Sequence, residues 1–260
     1  MLIRDLKPED ISITEDKAPA KIENISCGKP EPLIVGILVD ISGSRRSDSH
    51  LRAHYDALAA FLDQLLTGND AAYVVAFNNQ IYKLSNVTSD RAAISAAFDK
   101  LMNTSPYGPT ALYDTIKATA GANFKGRSGR RTLVVVGDWE DNSSRIRLED
   151  AVKAAQRTGT TIYAIVDADA GLESKKAHKH AIEAATEATK QTGGMVYDVE
   201  EKNDFATVFQ AIGGAVVGAC RVEYTTPGNP HAKEGAKLRV EATSKDVAIL
   251  YPRVRFGASQ

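Results

Sequence analysis

The run Pro32-Leu33-Ile34-Val35-Gly36-Ile37-Leu38-Val39 passes without interruption into Asp40-Ile41-Ser42-Gly43-Ser44. An unbroken apolar run of strand length reads as a strand buried on both faces, the kind found inside a parallel sheet. A carboxylate and two hydroxyls then leave its carboxyl end at alternate positions. Open α/β sheets place their ligand sites in the crevice beyond the strand ends. Three oxygen side chains converging there suit a hard cation such as Mg²⁺ or Mn²⁺, which prefers oxygen donors and keeps water in its shell.

Outward from this stretch, similar apolar runs recur at 72–77, 132–136 and 160–166, with a weaker one at 195–197. Residues 48–66, 89–101, 111–122, 147–157 and 174–191 carry apolar positions at helical spacing between them, and 203–218 adds a last helix. This alternation implies right-handed crossovers and a mostly parallel sheet covered by helices on both faces. A short run at 80–84 suits an antiparallel edge strand.

The two ends of the chain follow another pattern. Residues 10–14, 20–25, 221–225 and 237–242 alternate apolar with polar, as strands with one wet face do. Residues 247–256 read as one more strand, with Pro252 favouring an edge or a bulge. The expected organisation is an α/β domain over 32–219, with 1–31 and 220–260 joined in a small antiparallel β module beside it.

Composition sets limits on function. The 260 residues are 43% hydrophobic and 25% charged, ordinary for a globular chain, and the net charge of −1 offers no basic surface for nucleic acid or anionic lipid. No apolar run approaches the roughly 20 residues of a membrane helix, so no membrane insertion is expected. Met1-Leu2-Ile3-Arg4-Asp5 has no signal-peptide pattern, which fits a cytoplasmic protein or one whose export signal has been trimmed. Cys27 and Cys220 are too few for a zinc cluster or a disulfide scaffold.

Two further segments complete the oxygen set. Gly108-Pro109-Thr110-Ala111-Leu112 supplies a hydroxyl in a tight turn just before a helix. Val134-Val135-Val136-Gly137-Asp138 delivers a carboxylate at the end of another buried strand. At this point the sequence resembles the von Willebrand factor A family with its metal-ion-dependent adhesion site. The family pattern is Asp-x-Ser-x-Ser, a distant Thr in a Gly-x-Thr-x-Leu setting, and an Asp after a buried strand. The matching positions are Asp40, Ser42 and Ser44, then Thr110, then Asp138.

The flanks resemble bacterial relatives of the acidobacterial type. The similar segments are Asp5-Leu6-Lys7-Pro8-Glu9-Asp10-Ile11 with Thr14-Glu15-Asp16, the stretch Asp138 to Arg145, and Arg253-Val254-Arg255-Phe256. Those relatives are often exported, and a strand usually precedes the point where this chain begins, which suggests trimming and an extracytoplasmic location. The resemblance also implies that Cys27 and Cys220 are neighbours, since one precedes the first core strand and the other follows the last core helix. Bonded and free thiols both stay open.

What the resemblance implies functionally is adhesion-type binding of another protein, not catalysis. One Mg²⁺ or Mn²⁺ would be held directly or through water by the five residues. Neutral hydroxyl ligation would leave the ion electrophilic, so an acidic residue of the partner can take an exchangeable position. Two departures stand out. The family usually reads Thr-Asp-Gly where this chain has Gly137-Asp138-Trp139, and Arg45-Arg46 follows the second serine where a small or Met-like residue is common. Trp139 would then shield the metal or offer a ligand a flat contact, and Arg45 and Arg46 would favour an acidic partner.

Competing readings exist. Haloacid-dehalogenase-like phosphatases also begin with a buried strand ending in Asp and close with a strand into Gly-Asp. They need a second acid two residues after the nucleophile to protonate the leaving group, and that position is Ser42. A structural module with a vestigial metal site is the other alternative. His50 and His54 lie four apart on a helix, a spacing that can hold zinc, but no third ligand is evident. His178 and His180 read as a solvated helix face.

Overall fold

In the computed structural model the described residues are 6–28, 31–47, 51–122, 128–167, 175–199, 205–226 and 235–256. The first strands are β1 (Ile11–Glu15), β2 (Ala18–Pro19) and β3 (Lys21–Cys27). The central part follows as β4 (Leu33–Asp40), α1 (Leu51–Leu65), β5 (Ala71–Phe77), β6 (Ile81–Lys83), α2 (Arg91–Met102) and α3 (Leu112–Ala122). It continues as β7 (Arg130–Gly137), α4 (Leu148–Arg157), β8 (Thr160–Asp167), α5 (Lys175–Thr192), β9 (Val196–Val199) and α6 (Phe205–Gly218). Strands β10 (Cys220–Thr225), β11 (Ala236–Ala242) and β12 (Val254–Arg255) close the chain.

The sheet of the α/β unit has the order β6-β5-β4-β7-β8-β9 and is parallel except for β6, which runs antiparallel to β5. Every residue of β4 is buried, because it has a strand on each side and helices over each face. Alternate side chains of a strand point to opposite faces. Val35, Ile37 and Val39 therefore pack with Leu58, Leu62 and Ile212, while Ile34 and Leu38 pack with Leu112 and Ile116. A strand that must fill two cores has no position for a polar residue until it leaves the sheet. That is why the apolar run ends at Asp40, and the pairing of Asp40 with Phe77 and of Val39 with Val136 brings the three strand ends level.

The two chain ends meet as expected. β1 pairs with β11 and with β2, β11 pairs with β12, and β3 pairs with β10, all antiparallel. Cys27 lies opposite Cys220 in the β3–β10 pair, and the two are joined as a disulfide. Glu15 is buried between strands and accepts from both Arg255 Nε (3.0 Å) and Nη2 (2.7 Å), and from the Tyr224 hydroxyl (3.1 Å). One carboxylate thus ties β1, β10 and β12 together.

One expectation needs correction. Residues 247–256 do not form a continuous strand; only Val254–Arg255 pairs with β11. Pro252 makes an isolated bridge to Thr192, and Arg253 gives its N–H to the Gln191 carbonyl (3.0 Å) while its carbonyl accepts from Leu238 of β11 (2.8 Å), so the segment is shared between the end of α5 and β11. A proline has no N–H to offer a ladder, which interrupts pairing.

Candidate metal site

The site lies where β4 and β7 leave the sheet. Asp40 Oδ1 accepts the backbone N–H of Ser42 at 2.7 Å, and Asp138 Oδ1 accepts that of Glu140 at 3.0 Å. Each aspartate so fixes its own turn through one oxygen, as Asx turns do. Asp138 Oδ2 then accepts the Ser44 hydroxyl at 2.5 Å, and Ser44 Oγ lies 3.0 Å from Ser42 Oγ. Asp40, Ser42 and Asp138 are buried and Ser44 is half-buried.

Thr110 stands on a neighbouring loop. The Gly43 N–H donates to the Gly108 carbonyl (2.8 Å) and the Tyr107 N–H to the Ile41 carbonyl (2.9 Å), so the loop before α3 lies along the one after β4. The Thr110 N–H donates to Asn142 Oδ1 (2.7 Å), and its carbonyl accepts from the N–H groups of Asn142 and Ser143. Asp141 Oδ2 accepts the Tyr113 N–H (2.9 Å), which satisfies an otherwise orphan donor in the first turn of α3. From the other side Asn78, fully buried, accepts the Ala111 N–H at its carbonyl and donates through Nδ2 to the Tyr107 carbonyl.

Asn78 was not among the residues singled out from the sequence, and Asp141 and Asn142 entered there within the stretch Asp138 to Arg145, not as supports of the Thr110 loop. Their signal was present: polar groups directly beyond the ends of two buried strands, where side chains can bind the backbone of adjoining loops.

Both departures from the family pattern have a structural setting. A Cβ at position 137 would come within 2.5 Å of the Asp40 Cβ, so the Asp40 carboxylate occupies the space a threonine side chain would need. Trp139 takes the position of the usual glycine and its left-handed backbone, with φ at 58°. Its side chain is 2% exposed and packs in the core on the α3–α4 side. The expectation that Trp139 offers a partner a flat contact is therefore corrected: a ring inside the core has no free face.

The expectation for Arg45 is corrected as well. Its guanidinium Nη1 lies 2.8 Å from Asp167 Oδ2 at the end of β8, and the side chain is 1% exposed. A buried cation is held by a buried carboxylate, and at this burial the guanidinium is not a surface group. Arg46's side chain and His50 lie outside the described residues. His54 Nδ1 stands 3.4 Å from Asp167 Oδ2, and its ring stacks on Phe205. Among the described residues no group of three or more His, Cys, Asp or Glu comes together.

Electrostatics favour a cation among these oxygens. Burial pushes the Asp40 carboxyl up to about 7, and the charge of Asp138 adds to the rise, while hydrogen bonds from Ser42 and the charge of Arg45 oppose it. Two carboxylates withdrawn from water resist joint ionisation unless positive charge joins them. Their partners Ser42, Ser44 and Thr110 carry neutral hydroxyls. Oxygen donors of this kind, two carboxylates and neutral hydroxyls, are those a hard cation takes.

No curated protein matches the chain. Residues 35–140 match the family model of the von Willebrand factor type A domain. A von Willebrand factor type A structure from Catenulispora acidiphila is similar with a TM-score of 0.60 at 16% identity, over 80% of this chain and 50% of that one. BatB from Bacteroides thetaiotaomicron is similar with a TM-score of 0.55 at 17% identity, over 71% of this chain and 97% of that one. Proximal thread matrix protein 1 from the mussel byssus, in a structure with a zinc-occupied MIDAS motif, gives 0.61 at 16% identity, over 78% of this chain and 50% of that one. Likeness at such identities is a likeness of fold. The α/β unit has the von Willebrand factor A architecture, and the matched stretch 35–140 contains all five oxygen residues.

Proposed function

We propose that the chain binds one Mg²⁺ or Mn²⁺ through Asp40, Ser42, Ser44, Thr110 and Asp138, and uses it to hold an acidic group of a partner protein. The observation that carries this reading is the chain of contacts from Ser42 to Ser44 to Asp138 beside buried Asp40. Hydroxyls set against carboxylates at this spacing are ready to exchange their mutual hydrogen bonds for a shared cation. The zinc-occupied MIDAS motif of the mussel protein, a neighbour in fold, supports a metal-binding reading without choosing the ion.

The position two residues beyond Asp40 is Ser42, with no carboxyl to protonate a leaving group, and this favours a binding device over a phosphatase. With Arg45 paired to Asp167, attraction for an acidic partner rests on the ion and not on that guanidinium. The Cys27–Cys220 bond suits an oxidising compartment.

A pull-down with the whole chain as bait tests the proposal. A partner should be retained in Mg²⁺, released by EDTA, and not retained by Thr110→Ala, which removes a ligand from a loop without removing core volume. Retention indifferent to both chelator and Thr110→Ala would contradict it, leaving any metal a structural role.

A further inference from the structure

The loop that carries buried Thr110 also presents Tyr107, whose side chain is 46% exposed. Its backbone is held on three sides. The Tyr107 N–H donates to the Ile41 carbonyl, its carbonyl accepts from Asn78 Nδ2, and the Gly108 carbonyl next to it accepts the Gly43 N–H. The far end of the ring is also held, because the Tyr107 hydroxyl lies 2.5 Å from that of Tyr82 on the edge strand β6. Tyr82 in turn lies 3.4 Å from Gln80 Oε1. The hydrogen bond between the two hydroxyls and the contact of Tyr82 with Gln80 engage both phenols. What remains to meet a ligand is ring surface, already ordered before anything binds.

We infer that Tyr107, braced by Tyr82, is the specificity-determining contact beside the cation. It receives an aliphatic or aromatic side chain of an extended partner segment, one or two positions from the acidic residue that reaches the ion. The inference rests on the metal-binding reading above. An extended segment advances about 3.3 Å per residue, so a side chain one or two positions from the acidic residue stays within reach of the loop that carries both Thr110 and Tyr107. A rigid, exposed tyrosine supplies contact area at low entropic cost. A basic neighbour is disfavoured because the divalent ion repels it. This selects an apolar residue beside the acid, not a cationic one that would otherwise stack on the ring.

The test uses an array of immobilised heptapeptides with a central Asp or Glu and Ser, Leu, Phe or Lys at the flanking positions, probed with the whole chain in Mg²⁺ and in EDTA. In Mg²⁺ the wild type should capture acidic peptides bearing Leu or Phe about fivefold or more over their Ser counterparts, as burial of one side chain against a ring allows. Tyr107→Phe should keep the preference, since the ring remains. Tyr107→Ala should keep metal-dependent capture of acidic peptides, which shows that it is folded, and lose the preference. A wild type without preference, a preference that survives Tyr107→Ala, or a loss in Tyr107→Phe equal to that in Tyr107→Ala overturns the inference. Failure of the wild type to capture any acidic peptide in a Mg²⁺-dependent way overturns the metal-binding reading and the inference with it.

Discussion

Ser44 Oγ donates to Asp138 Oδ2 at 2.5 Å across 94 positions of the sequence. The bond joins the loop after β4 to the end of β7, two strands that lie side by side in the sheet. It needs both strands to stop at the same level, which the pairing of Val39 with Val136 provides. The site is a consequence of sheet register more than of any one loop.

Burial of Asp40 makes the site sensitive to pH. Its carboxyl titrates at about 7 in the metal-free folded chain against an ordinary 3.8, so between these values the folded state holds a proton that the unfolded state has shed. That contribution to stability is fully present below the ordinary value and is lost as pH rises through about 7. Metal-free protein should therefore gain melting temperature from this group at about pH 5.5 relative to about pH 8. Mg²⁺ affinity should run the other way, falling close to tenfold per unit below about pH 7 as one proton competes with the ion. Calorimetric scans of the wild type and Asp40→Asn in EDTA check the first part. An identical pH dependence in both would remove Asp40 as its source.

Asn142 holds the Thr110 backbone while its own side chain serves as an acceptor, not a ligand. Asn142→Ala should weaken Mg²⁺ binding by roughly tenfold or more, the usual cost of losing a residue that orients a ligand. Asn142→Asp preserves the acceptor and should retain more affinity than Asn142→Ala. Titrations of both variants would show this, and equal losses would argue against positioning through that oxygen.

Trp139 sets strain against packing. Restoring glycine would relieve a left-handed backbone at a bulky residue, a cost of about 1–2 kcal/mol, but would empty a core position worth roughly 3–5 kcal/mol. Trp139→Gly should therefore destabilise the fold, with denaturant unfolding shifted to lower midpoint. Unchanged or raised stability would mean that the core closes over the vacated space.

The disulfide between Cys27 and Cys220 closes a loop of 193 positions. Its removal should cost roughly 2–5 kcal/mol. Cys27→Ser, Cys220→Ser and the double variant should be destabilised alike in unfolding experiments. Stability unaffected by reduction or by the double substitution would contradict a structural bond.

Much of this was legible in the residues because burial forces simple patterns. β4, β5, β7 and β8 read as apolar runs since each fills a core on both faces, and Asp40 and Asp138 marked where the strands end. Alternation in the end segments identified the β module for the same reason, one face being wet. Side-chain direction was harder to read. Arg45 beside the serines looked like a surface charge, but Asp167 lies 122 positions away in sequence and only the sheet order brings it near. Trp139 was misjudged because nothing local marks a tryptophan just past a strand end as buried, and the β1–β2 turn was missed because Asp16 and Lys17 adopt positive φ without a glycine. The strand predicted over 247–256 shrank to two residues because the α5 carbonyl competes for the Arg253 N–H.

Isothermal titration of Mg²⁺, and separately Mn²⁺, into the metal-free wild type and Asp40→Ala tests the central claim most directly, with circular dichroism confirming that both are folded. The expected result is one saturable site in the wild type and none in Asp40→Ala. Equal heats in the two proteins, or no heat in either, would contradict the assignment of Asp40, Ser42, Ser44, Thr110 and Asp138 as a cation site.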